Sequence, residues 1–337
     1  MHDDGILILG ADDVGALLAG REQEVMDTVG RAYRAHGAGQ SSLPHSTFLR
    51  FPDDDTNRII ALPAFLGDGF QVAGIKWIAS FPGNVERRMA RASAVMVLNS
   101  CETGHPEAIL EGSLISAERT AASAALAARV FLDSRPPEAA GFIGAGLINR
   151  SIARFLGAAL PGLGRLQVFD LDPGRAARFA SDVREASGGA AEPEVASSLD
   201  AVLRSCALVS FATTAIRPHV EDLSSCPPGA VILHVSLRDL SPQVILGCDN
   251  VVDDVDHVAR AQTSIHLAEQ RTGSRGFIRC TLAEILEGTA SPRVDGTTVT
   301  VFSPFGLGVL DVAVGKHVLD LARREGRGTA IRSFLST

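Results

Sequence analysis

A glycine-containing turn between a strand and a helix constrains this chain more than any other feature. The stretch EAAGFIGAGLINRSIARFLG, residues 138–157, places Gly144 and Gly146 after a strand-like segment and before a helix-like one. Glycines at this spacing allow a tight turn and a close approach of the backbone to a pyrophosphate, which the helix N-terminus attracts. Asn149 stands where the dinucleotide fingerprint has its third glycine. Because that glycine serves helix–strand packing more than phosphate contact, the replacement is tolerable.

An acidic residue follows the turn at the spacing typical of a dinucleotide site. The next strand, LQVF, ends at Asp170, and residues 139–170 have the length of one βαβ unit. A carboxylate there binds the adenosine ribose hydroxyls and repels a 2′-phosphate, which favours NAD over NADP. A generic turn in an α/β sheet is the alternative, but strand, turn, helix and acid all occur in register. We therefore predict an NAD site with contacts at Gly144, Gly146, Leu147, Ile148, Asn149 and Asp170.

The flanking segments predict two domains. After residue 138, strand-like segments alternate with helix-like ones, which is typical of a parallel α/β sheet. Before it, short strand-like segments precede a helix predicted at 116–132, and the chain returns at its end to a helix predicted at 309–325. A chain of 337 residues exceeds the usual size of one core. We predict a Rossmann-type doubly wound NAD-binding domain at 119–303 and a discontinuous α+β substrate-binding and dimerisation domain at 1–118 and 304–337.

Composition and missing motifs exclude several classes of protein. A net charge of −8 offers no electrostatic footprint for nucleic acid, and no apolar run reaches the length of a membrane span. The N-terminus lacks the basic region of a signal peptide, and the five cysteines are scattered, as expected of free thiols in the cytoplasm. No zinc motif, P-loop or G-x-S-x-G elbow occurs, and DDVDH at 253–257 is interpreted as a polar loop rather than a metal site.

Two basic residues are candidates for ligand binding. Lys76 is one of only two lysines among 31 basic residues, and a lysine kept against that bias is expected where an ammonium is needed. It lies within an alternating apolar strand segment, where it either snorkels at an edge or faces a pocket. Arg119 falls in the first turn of the predicted helix, where the dipole disfavours a cation. It is either a surface charge or holds, with the helix N-terminus, a substrate carboxylate or a cofactor phosphate.

A carboxylate follows one of the predicted parallel strands. Asp239 comes after AVILHVS, and the carboxyl ends of the strands in such a sheet face the ligand crevice. A carboxylate at that edge orients or deprotonates a water molecule, and the alternative is an ordinary turn aspartate. The basic run of Arg87, Arg88 and Arg91 is interpreted as a solvated face.

Six segments resemble the ornithine cyclodeaminase/μ-crystallin family and occur in that family's order over nearly the whole chain. They are GIKWIASFPGN (74–84), EGSLISAERTAASAALAA (111–128), GFIGAGLIN (141–149), VFDLD (168–172), SLRDLSP (236–242) and VFSPFGLGVLD (301–311). Within the family, KWIASFPGN, RASAVMVLN and LEGSLISAERTAASAALAA look most like the dehydrogenases that make 2,3-diaminopropionate for siderophores and antibiotics. That resemblance implies a homodimer that oxidises N-(2-amino-2-carboxyethyl)-L-glutamate with NAD and hydrolyses the imine to 2,3-diaminopropionate and 2-oxoglutarate.

The resemblance also implies roles for individual residues. Lys76 and Arg119 match substrate-binding positions, and Arg50 is a weaker candidate because the register of the N-terminal arginine is not fixed. Asp239 matches the catalytic base of the cyclodeaminases, and Lys76 is the second catalytic candidate. The local spacing differs slightly from that pattern, which leaves open whether Arg238 or Asp239 points toward the substrate. Further NAD contacts are implied at Ser93, Arg119, Thr120, Thr213, Thr214, Val235, Ser236 and Ser303.

Two other functions fit the same resemblance. An ornithine cyclodeaminase would use and regenerate NAD within one turnover and release ammonia, so net NADH release separates it from a dehydrogenase. A non-catalytic binding protein, as μ-crystallins can be, would turn over no amino acid. The presence of Lys76 and Asp239 favours an enzyme over a binding protein.

Overall fold

The computed structural model describes residues 5–334, without the side chains of residues 55 and 85. The chain divides into two compact units: Met1–Arg119 with Leu307–Thr337 form the first, and Thr120–Gly306 form the second. The first unit is discontinuous because the last helix of the chain packs with the N-terminal strands.

Strands and helices are numbered separately, each in chain order. The strands are β1 (Ile6–Leu9), β2 (Ser41–Ser42), β3 (Thr47–Phe51), β4 (Asp54–Leu66), β5 (Val72–Ser80), β6 (Ala92–Asn99), β7 (Pro106–Glu111), β8 (Ala139–Ile143), β9 (Arg165–Phe169), β10 (Glu192–Val195), β11 (Leu208–Phe211), β12 (Val231–His234), β13 (Asp249–Val252), β14 (Ile278–Thr281), β15 (Thr300–Ser303) and β16 (Thr329–Ile331). The helices are α1 (Ala11–Leu18), α2 (Glu22–Gly37), α3 (Gly112–Phe131), α4 (Leu147–Ala159), α5 (Pro173–Ala186), α6 (Leu199–Ser205), α7 (Pro242–Leu246), α8 (Val255–Val258), α9 (Ser264–Thr272), α10 (Leu282–Leu286) and α11 (Gly308–Glu325).

The first unit is built on a mixed sheet. Its strands run in the order β16-β1-β7-β6-β5-β4-β2, and β3 pairs with β4. Strands β1 and β7 are parallel, and the other pairs are antiparallel. Helix α11 packs on β4, β5 and β6. A Cβ on Gly315 would come within 2.9 Å of Met96 Cε, so glycine lets α11 approach the sheet closely and bury Met96 and Leu98.

The second unit is a parallel sheet with the order β10-β9-β8-β11-β12-β15-β13-β14. Strand β8 comes first in the chain and pairs with both β9 and β11, so the strand order reverses there. In sheets of this kind, ligands bind outside the carboxyl ends of the strands at that reversal. The predicted doubly wound parallel α/β sheet is confirmed.

Helix α3 begins earlier than the sequence pattern predicts. Its first residue is Gly112, and the Glu111 carboxylate accepts hydrogen bonds from the N–H groups of Ser113 (2.8 Å) and Leu114 (2.9 Å). Arg119 therefore lies about two turns inside the helix. The prediction that Arg119 sits in the first turn is wrong, so it does not lie beside the helix N-terminus, where Glu111 already engages two of the backbone N–H groups.

Acidic side chains of the DDVDH segment bind backbone groups. Asp253 accepts hydrogen bonds from the N–H groups of Phe305 (2.9 Å) and Gly306 (2.8 Å), and Asp254 caps α8. In the part of the chain that the structure describes, no group of three His, Cys, Asp or Glu side chains is placed to hold a metal ion. Within residues 5–334, no helix is long and apolar enough to cross a membrane.

Candidate functional site

The glycine turn packs the end of β8 against the segment that follows β11. Gly144 has a φ of +91°, and a Cβ there would lie 2.6 Å from the carbonyl oxygen of Ala212. Only glycine fits this position without moving the backbone. Gly146 precedes α4, and a Cβ there would meet no atom within 4 Å. The space beside Gly146 is therefore open to a ligand that approaches the start of α4.

The N-terminus of α4 offers backbone donors to such a ligand. No side chain caps this helix, and the N–H groups of Leu147, Ile148 and Asn149 have no partner within it. Leu147 is exposed and Ile148 is half-buried. Together with the helix dipole, these N–H groups fit the pyrophosphate of a dinucleotide.

Asn149 explains how the turn forms without the third glycine. Its fully buried amide donates hydrogen bonds to the carbonyl oxygens of Ile143 (3.0 Å) and Gly144 (2.6 Å). Its amide oxygen accepts a hydrogen bond from the hydroxyl of Ser210 on β11 (2.7 Å). The Asn149 side chain thus holds the turn to β8 and β11, and only its backbone N–H is left for the predicted cofactor contact.

Asp170 lies at the end of β9, beside the glycine turn. Its Oδ2 accepts a hydrogen bond from the Ala145 N–H (2.8 Å), and its Oδ1 accepts one from the Asp172 N–H (2.9 Å). These contacts fix a half-buried carboxylate next to the open glycine position. A dinucleotide whose ribose hydroxyls reach this carboxylate fits the site, so the residues present are compatible with NAD.

Asp239 is the centre of a buried polar cluster after β12. Its carboxylate accepts hydrogen bonds from the hydroxyls of Thr213 (2.5 Å) and Ser236. The fully buried His234 has its Nε2 3.5 Å from Asp239 Oδ2 and its Nδ1 3.2 Å from the Ser303 hydroxyl. Burial by itself raises the pKa of Asp239, but His234 and the two hydroxyls outweigh burial and hold that pKa below its usual value.

Arg238 and Asp239 have different environments. Leu237 has a φ of +67°, an uncommon value for a residue with a side chain, and the chain turns there. Asp239 is fully buried, whereas the half-buried Arg238 donates a hydrogen bond to the carbonyl oxygen of Ala261 (2.7 Å). Two partly exposed residues, Thr213 and Ser236, donate the hydroxyl hydrogen bonds to the Asp239 carboxylate. A proton that reaches Asp239 from the side of Thr213 and Ser236 therefore has to be passed on by one of their hydroxyl groups.

In the first unit, Lys76 belongs to a buried ionic cluster. Its Nζ donates hydrogen bonds to Asp311 Oδ2 (2.7 Å) and to the Ser116 hydroxyl (3.0 Å). Arg119 Nε donates one to the other oxygen of Asp311 (2.9 Å). The exposed fraction of the side chain is 2% for Lys76, 1% for Asp311 and 10% for Arg119. Two cations therefore share one carboxylate, and these three side chains together carry a net positive charge.

Burial and charge shift the titration of this cluster. Burial lowers the pKa of Lys76 to about 8, although the Asp311 charge acts in the opposite direction. Burial alone would raise the pKa of Asp311, but the charges of Arg119 and Lys76 hold it below its usual value. The Lys76 ammonium is thus the member of the cluster whose charge changes slightly above neutral pH.

Asp311 is a site residue that the sequence patterns do not indicate. It lies in the first turn of α11, where an acidic side chain is ordinary. The available signal was indirect: two cations that face a pocket need a counter-ion, and the segment VFSPFGLGVLD ends on this acid. His234 was also not indicated, because nothing in a sequence places its ring beside Asp239.

The other predicted residues lie in both units, and their predicted contacts remain predictions. Arg50 is exposed on β3, with its guanidinium 5.7 Å from the centre of the Phe48 ring. The remaining members of the predicted cofactor set are Ser93, exposed on β6; Thr120, half-buried on α3; Thr214, exposed after β11; Val235, half-buried after β12; and Ser303, fully buried at the end of β15.

The parallel sheet and the glycine turn define a dinucleotide-binding protein of the Rossmann class, with a mixed-sheet unit added to it. The model of the ornithine cyclodeaminase/mu-crystallin family matches residues 7–326. The chain belongs to this family, which confirms the family predicted from its sequence segments.

Relatives with different activities are similar to nearly the whole chain. The N-((2S)-2-amino-2-carboxyethyl)-L-glutamate dehydrogenase of Staphylococcus aureus is 27% identical, over 98% of this chain and 99% of the relative. The alanine dehydrogenase of Archaeoglobus fulgidus is 28% identical, over 97% and 98%. The Delta(1)-pyrroline-2-carboxylate reductase of Thermococcus litoralis, solved with NADH and L-proline, has a TM-score of 0.87 at 25% identity, over 96% and 99%. An archaeal alanine dehydrogenase dimer with bound NAD has a TM-score of 0.84 at 26% identity, over 98% and 100%.

Proposed function

We propose that the protein oxidises N-(2-amino-2-carboxyethyl)-L-glutamate with NAD and hydrolyses the oxidised product. The glutamate-derived Cα loses a hydride equivalent and the attached nitrogen loses a proton, so that the secondary amine becomes an imine. Water adds to the imine carbon, and the C–N bond then breaks to give 2-oxoglutarate and 2,3-diaminopropionate. Similarity to the Staphylococcus aureus dehydrogenase over nearly the whole chain supports this choice of reaction.

The protein is an NAD-dependent oxidoreductase. When bound, NAD accepts the hydride equivalent, and the protein supplies binding and orientation. The open space at Gly146 and the first N–H groups of α4 bind the pyrophosphate. The Asp170 carboxylate binds the adenosine ribose hydroxyls and disfavours a 2′-phosphate by charge repulsion.

The buried ionic cluster of Lys76, Arg119 and Asp311 is the observation from which the substrate class is inferred. Burying a charge without full compensation costs free energy, and an incoming substrate carboxylate offsets that cost at Lys76 and Arg119. Arg119 has five N–H donors, of which Asp311 and Ser116 use two. A guanidinium binds a carboxylate through two parallel hydrogen bonds, so the cluster selects amino and oxo acids.

We assign Asp239 as the final acceptor of the proton from the attacking water. Its lowered pKa keeps it ionised at neutral pH, and the hydroxyls of Thr213 and Ser236 both donate to it. One of these hydroxyls takes the proton of the water while it passes its own proton to Asp239. In this role Asp239 acts through a hydroxyl relay rather than by direct contact with the water.

Turnover by the purified protein tests the proposed function. With NAD and N-(2-amino-2-carboxyethyl)-L-glutamate, we expect NADH, 2-oxoglutarate and 2,3-diaminopropionate in equal amounts. Alanine and ornithine serve as comparison substrates. NADH formation from alanine alone, ammonia release from ornithine without net NADH, or no turnover of any amino acid would each reject the proposal.

We further propose that the first unit forms a homodimer through an exposed face of its sheet. Trp77 on β5 lies directly opposite Val95 on β6, and their exposed fractions are 40% and 37%. Strand alternation and register place Leu49 and Ile8, also exposed, on the same face. Contiguous exposed apolar residues mark an interaction surface, and a related archaeal alanine dehydrogenase is a dimer.

We also place the protein in the cytoplasm, where it would supply a precursor of siderophores or antibiotics. That precursor is the proposed product, 2,3-diaminopropionate. The scattered positions of the five cysteines along the sequence support this compartment; they are Cys101, Cys206, Cys226, Cys248 and Cys280.

A further inference from the structure

A partly exposed histidine lies beside the buried carboxylate of Asp239. His219 Nε2 is 3.9 Å from Asp239 Oδ1, and 42% of the His219 side chain is exposed, whereas the Asp239 side chain has no exposed surface. Both residues belong to the second unit. One imidazole ring is therefore close to the proposed proton acceptor and in contact with solvent.

Backbone hydrogen bonds hold His219 opposite Asp239. The segment after β11 runs parallel to the segment after β12 through a bridge between Val220 and Leu240. The N–H groups of His219 and Val220 both donate to the carbonyl oxygen of Asp239, each at 2.9 Å. The proximity of the two side chains thus follows from the backbone rather than from one side-chain rotamer. The separation of 3.9 Å exceeds a hydrogen bond by about 1 Å, which a small rotation of the exposed ring closes.

The proposed reaction leaves a proton on Asp239 that has to be removed. The substrate with its secondary amine in the ammonium form, NAD and water give 2-oxoglutarate, 2,3-diaminopropionate with the new amine in the ammonium form, NADH and one proton. Asp239 accepts a proton from the attacking water through the hydroxyl of Thr213 or Ser236 and is neutral afterwards. The next turnover needs the ionised carboxylate, so the proton has to reach solvent first.

Two other titratable groups beside Asp239 are unsuited to this transfer. His234 is fully buried, and its Nδ1 is 3.2 Å from the hydroxyl of the fully buried Ser303, so its ring does not reach solvent. Arg238 keeps its proton, because an arginine is not deprotonated in proteins. An imidazole in contact with solvent accepts and releases a proton near neutral pH. His219 therefore combines the two properties that the transfer requires, which are access to the carboxylate and access to solvent.

We propose that His219 carries the proton from Asp239 to solvent and so restores the ionised carboxylate for the next turnover. The O–H bond of the protonated Asp239 breaks and an N–H bond forms at His219 Nε2, which gives a carboxylate and an imidazolium. The imidazolium then gives one proton to water or to a buffer base and becomes neutral. His219 thus acts through Asp239 and does not touch the substrate. This inference rests on the proposed function, in which Asp239 is the final proton acceptor.

Chemical rescue by imidazole tests the transfer. The full-length wild type and His219→Ala are assayed in dilute buffer with NAD and N-(2-amino-2-carboxyethyl)-L-glutamate. We expect kcat of the variant to fall at least about tenfold, because removal of the proton then limits turnover. Since this step follows hydride transfer and water addition, kcat/KM should stay within about twofold of the wild-type value. Free imidazole should restore kcat, whereas pyrazole, a ring of the same shape and a far weaker base, should not.

Matched variants separate proton transfer from a structural role. His219→Gln keeps a polar side chain of similar size that cannot carry a proton at neutral pH, so it should lose as much kcat as His219→Ala. His105, exposed in the turn between β6 and β7, supplies the control, and His105→Ala should keep the wild-type kcat. Because His219 is partly exposed, both of its variants are expected to fold, and their melting temperatures and NAD affinities verify this.

The outcomes for His219 and for the proposed function are distinguishable. A wild-type kcat in His219→Ala, equal rescue by pyrazole, or a parallel loss of kcat/KM would each overturn the transfer through His219. Oxidation of alanine instead of N-(2-amino-2-carboxyethyl)-L-glutamate would reject the proposed function, but the same assay with alanine would still test His219, because its oxidative hydrolysis also releases one proton. Cyclisation of ornithine without net NADH, or no turnover of any amino acid, would reject both.

Discussion

At the scale of single residues, Asp311 determines whether two buried cations are tolerated. It is the shared acceptor of Lys76 and Arg119. Removing one partner of a buried ion pair leaves an uncompensated charge, which costs about 3–5 kcal/mol. We expect Asp311→Asn to lower the free energy of unfolding by about this amount, measured by urea denaturation.

Asp320 supplies the matched control for that experiment. It lies on the same helix, α11, and pairs with Lys316 near the surface, with exposed side-chain fractions of 43% and 26%. A surface pair of this kind contributes less than about 1 kcal/mol, so Asp320→Asn should be nearly neutral. If Asp311→Asn and Asp320→Asn lowered the free energy of unfolding equally, Asp311 would not stabilise the fold more than a surface ion-pair partner does.

The titration of Lys76 predicts a pH dependence of substrate binding. Its pKa is lowered to about 8, so the ammonium is charged below that pH and becomes neutral above it. If Lys76 holds a substrate carboxylate as proposed, loss of its charge weakens that binding, and we expect kcat/KM to fall as the pH rises through about 8. For stability the sign is opposite: between about 8 and 10.5 the unfolded chain binds more protons at this group than the folded one, so this group's contribution to stability rises with pH.

A kcat/KM profile of the wild type beside Lys76→Ala checks the assignment. The variant should have a much lower kcat/KM and should lack the fall near pH 8. If kcat/KM fell in the same way at alkaline pH in both proteins, the titration would belong to a group other than Lys76.

At the scale of secondary-structure elements, we expect the end of β9 to set the preference between NAD and NADP. Asp170 lies there and is fixed by the Ala145 and Asp172 N–H groups. Apposition of its carboxylate and a 2′-phosphate should cost about 1–3 kcal/mol, or about ten- to hundredfold in affinity. We expect the wild-type protein to bind NAD more tightly than NADP by that factor, as measured by calorimetry. Asp170→Ser should reduce the difference between the two affinities.

Arg175 provides the control for cofactor preference. It is exposed in the first turn of α5, near enough in sequence to be a rival determinant. Arg175→Gln should leave the preference for NAD unchanged. If NADP bound the wild type as tightly as NAD, Asp170 would not have the role assigned to it.

Elements formed by local sequence were the ones that the sequence predicted. The β8–turn–α4–β9 unit follows from residues within one short segment, and the structure has this unit, so the spacing of Gly144, Gly146 and Asp170 suffices to predict a cofactor site there. The position of β15 between β12 and β13 cannot be predicted from local spacing, because strand order depends on contacts between segments that are distant in the chain. The Lys76–Asp311 pair joins residues 235 positions apart, which is why Asp311 was missed.

At the scale of the whole molecule, the exposed apolar face of the first unit predicts the state of assembly. A charged residue at the centre of that face would have to be buried without a partner, which strongly disfavours association. We expect wild-type protein to be a dimer by light scattering and Trp77→Asp to be a monomer with unchanged circular dichroism. Ile216→Asp, at an exposed apolar residue of the second unit, is the control and should remain dimeric. A monomeric wild type would refute the proposed interface.

The origin of the hydride tests the proposed function most directly. N-(2-amino-2-carboxyethyl)-L-glutamate is prepared with deuterium at the glutamate-derived Cα, or instead at the Cα of the 2,3-diaminopropionate half. Each is incubated with the protein and NAD, and the NADH formed is analysed by mass spectrometry. We predict one deuterium in NADH from the first substrate and none from the second. NADH without deuterium from the first substrate, or no NADH at all, would contradict the proposed oxidation of the glutamate half.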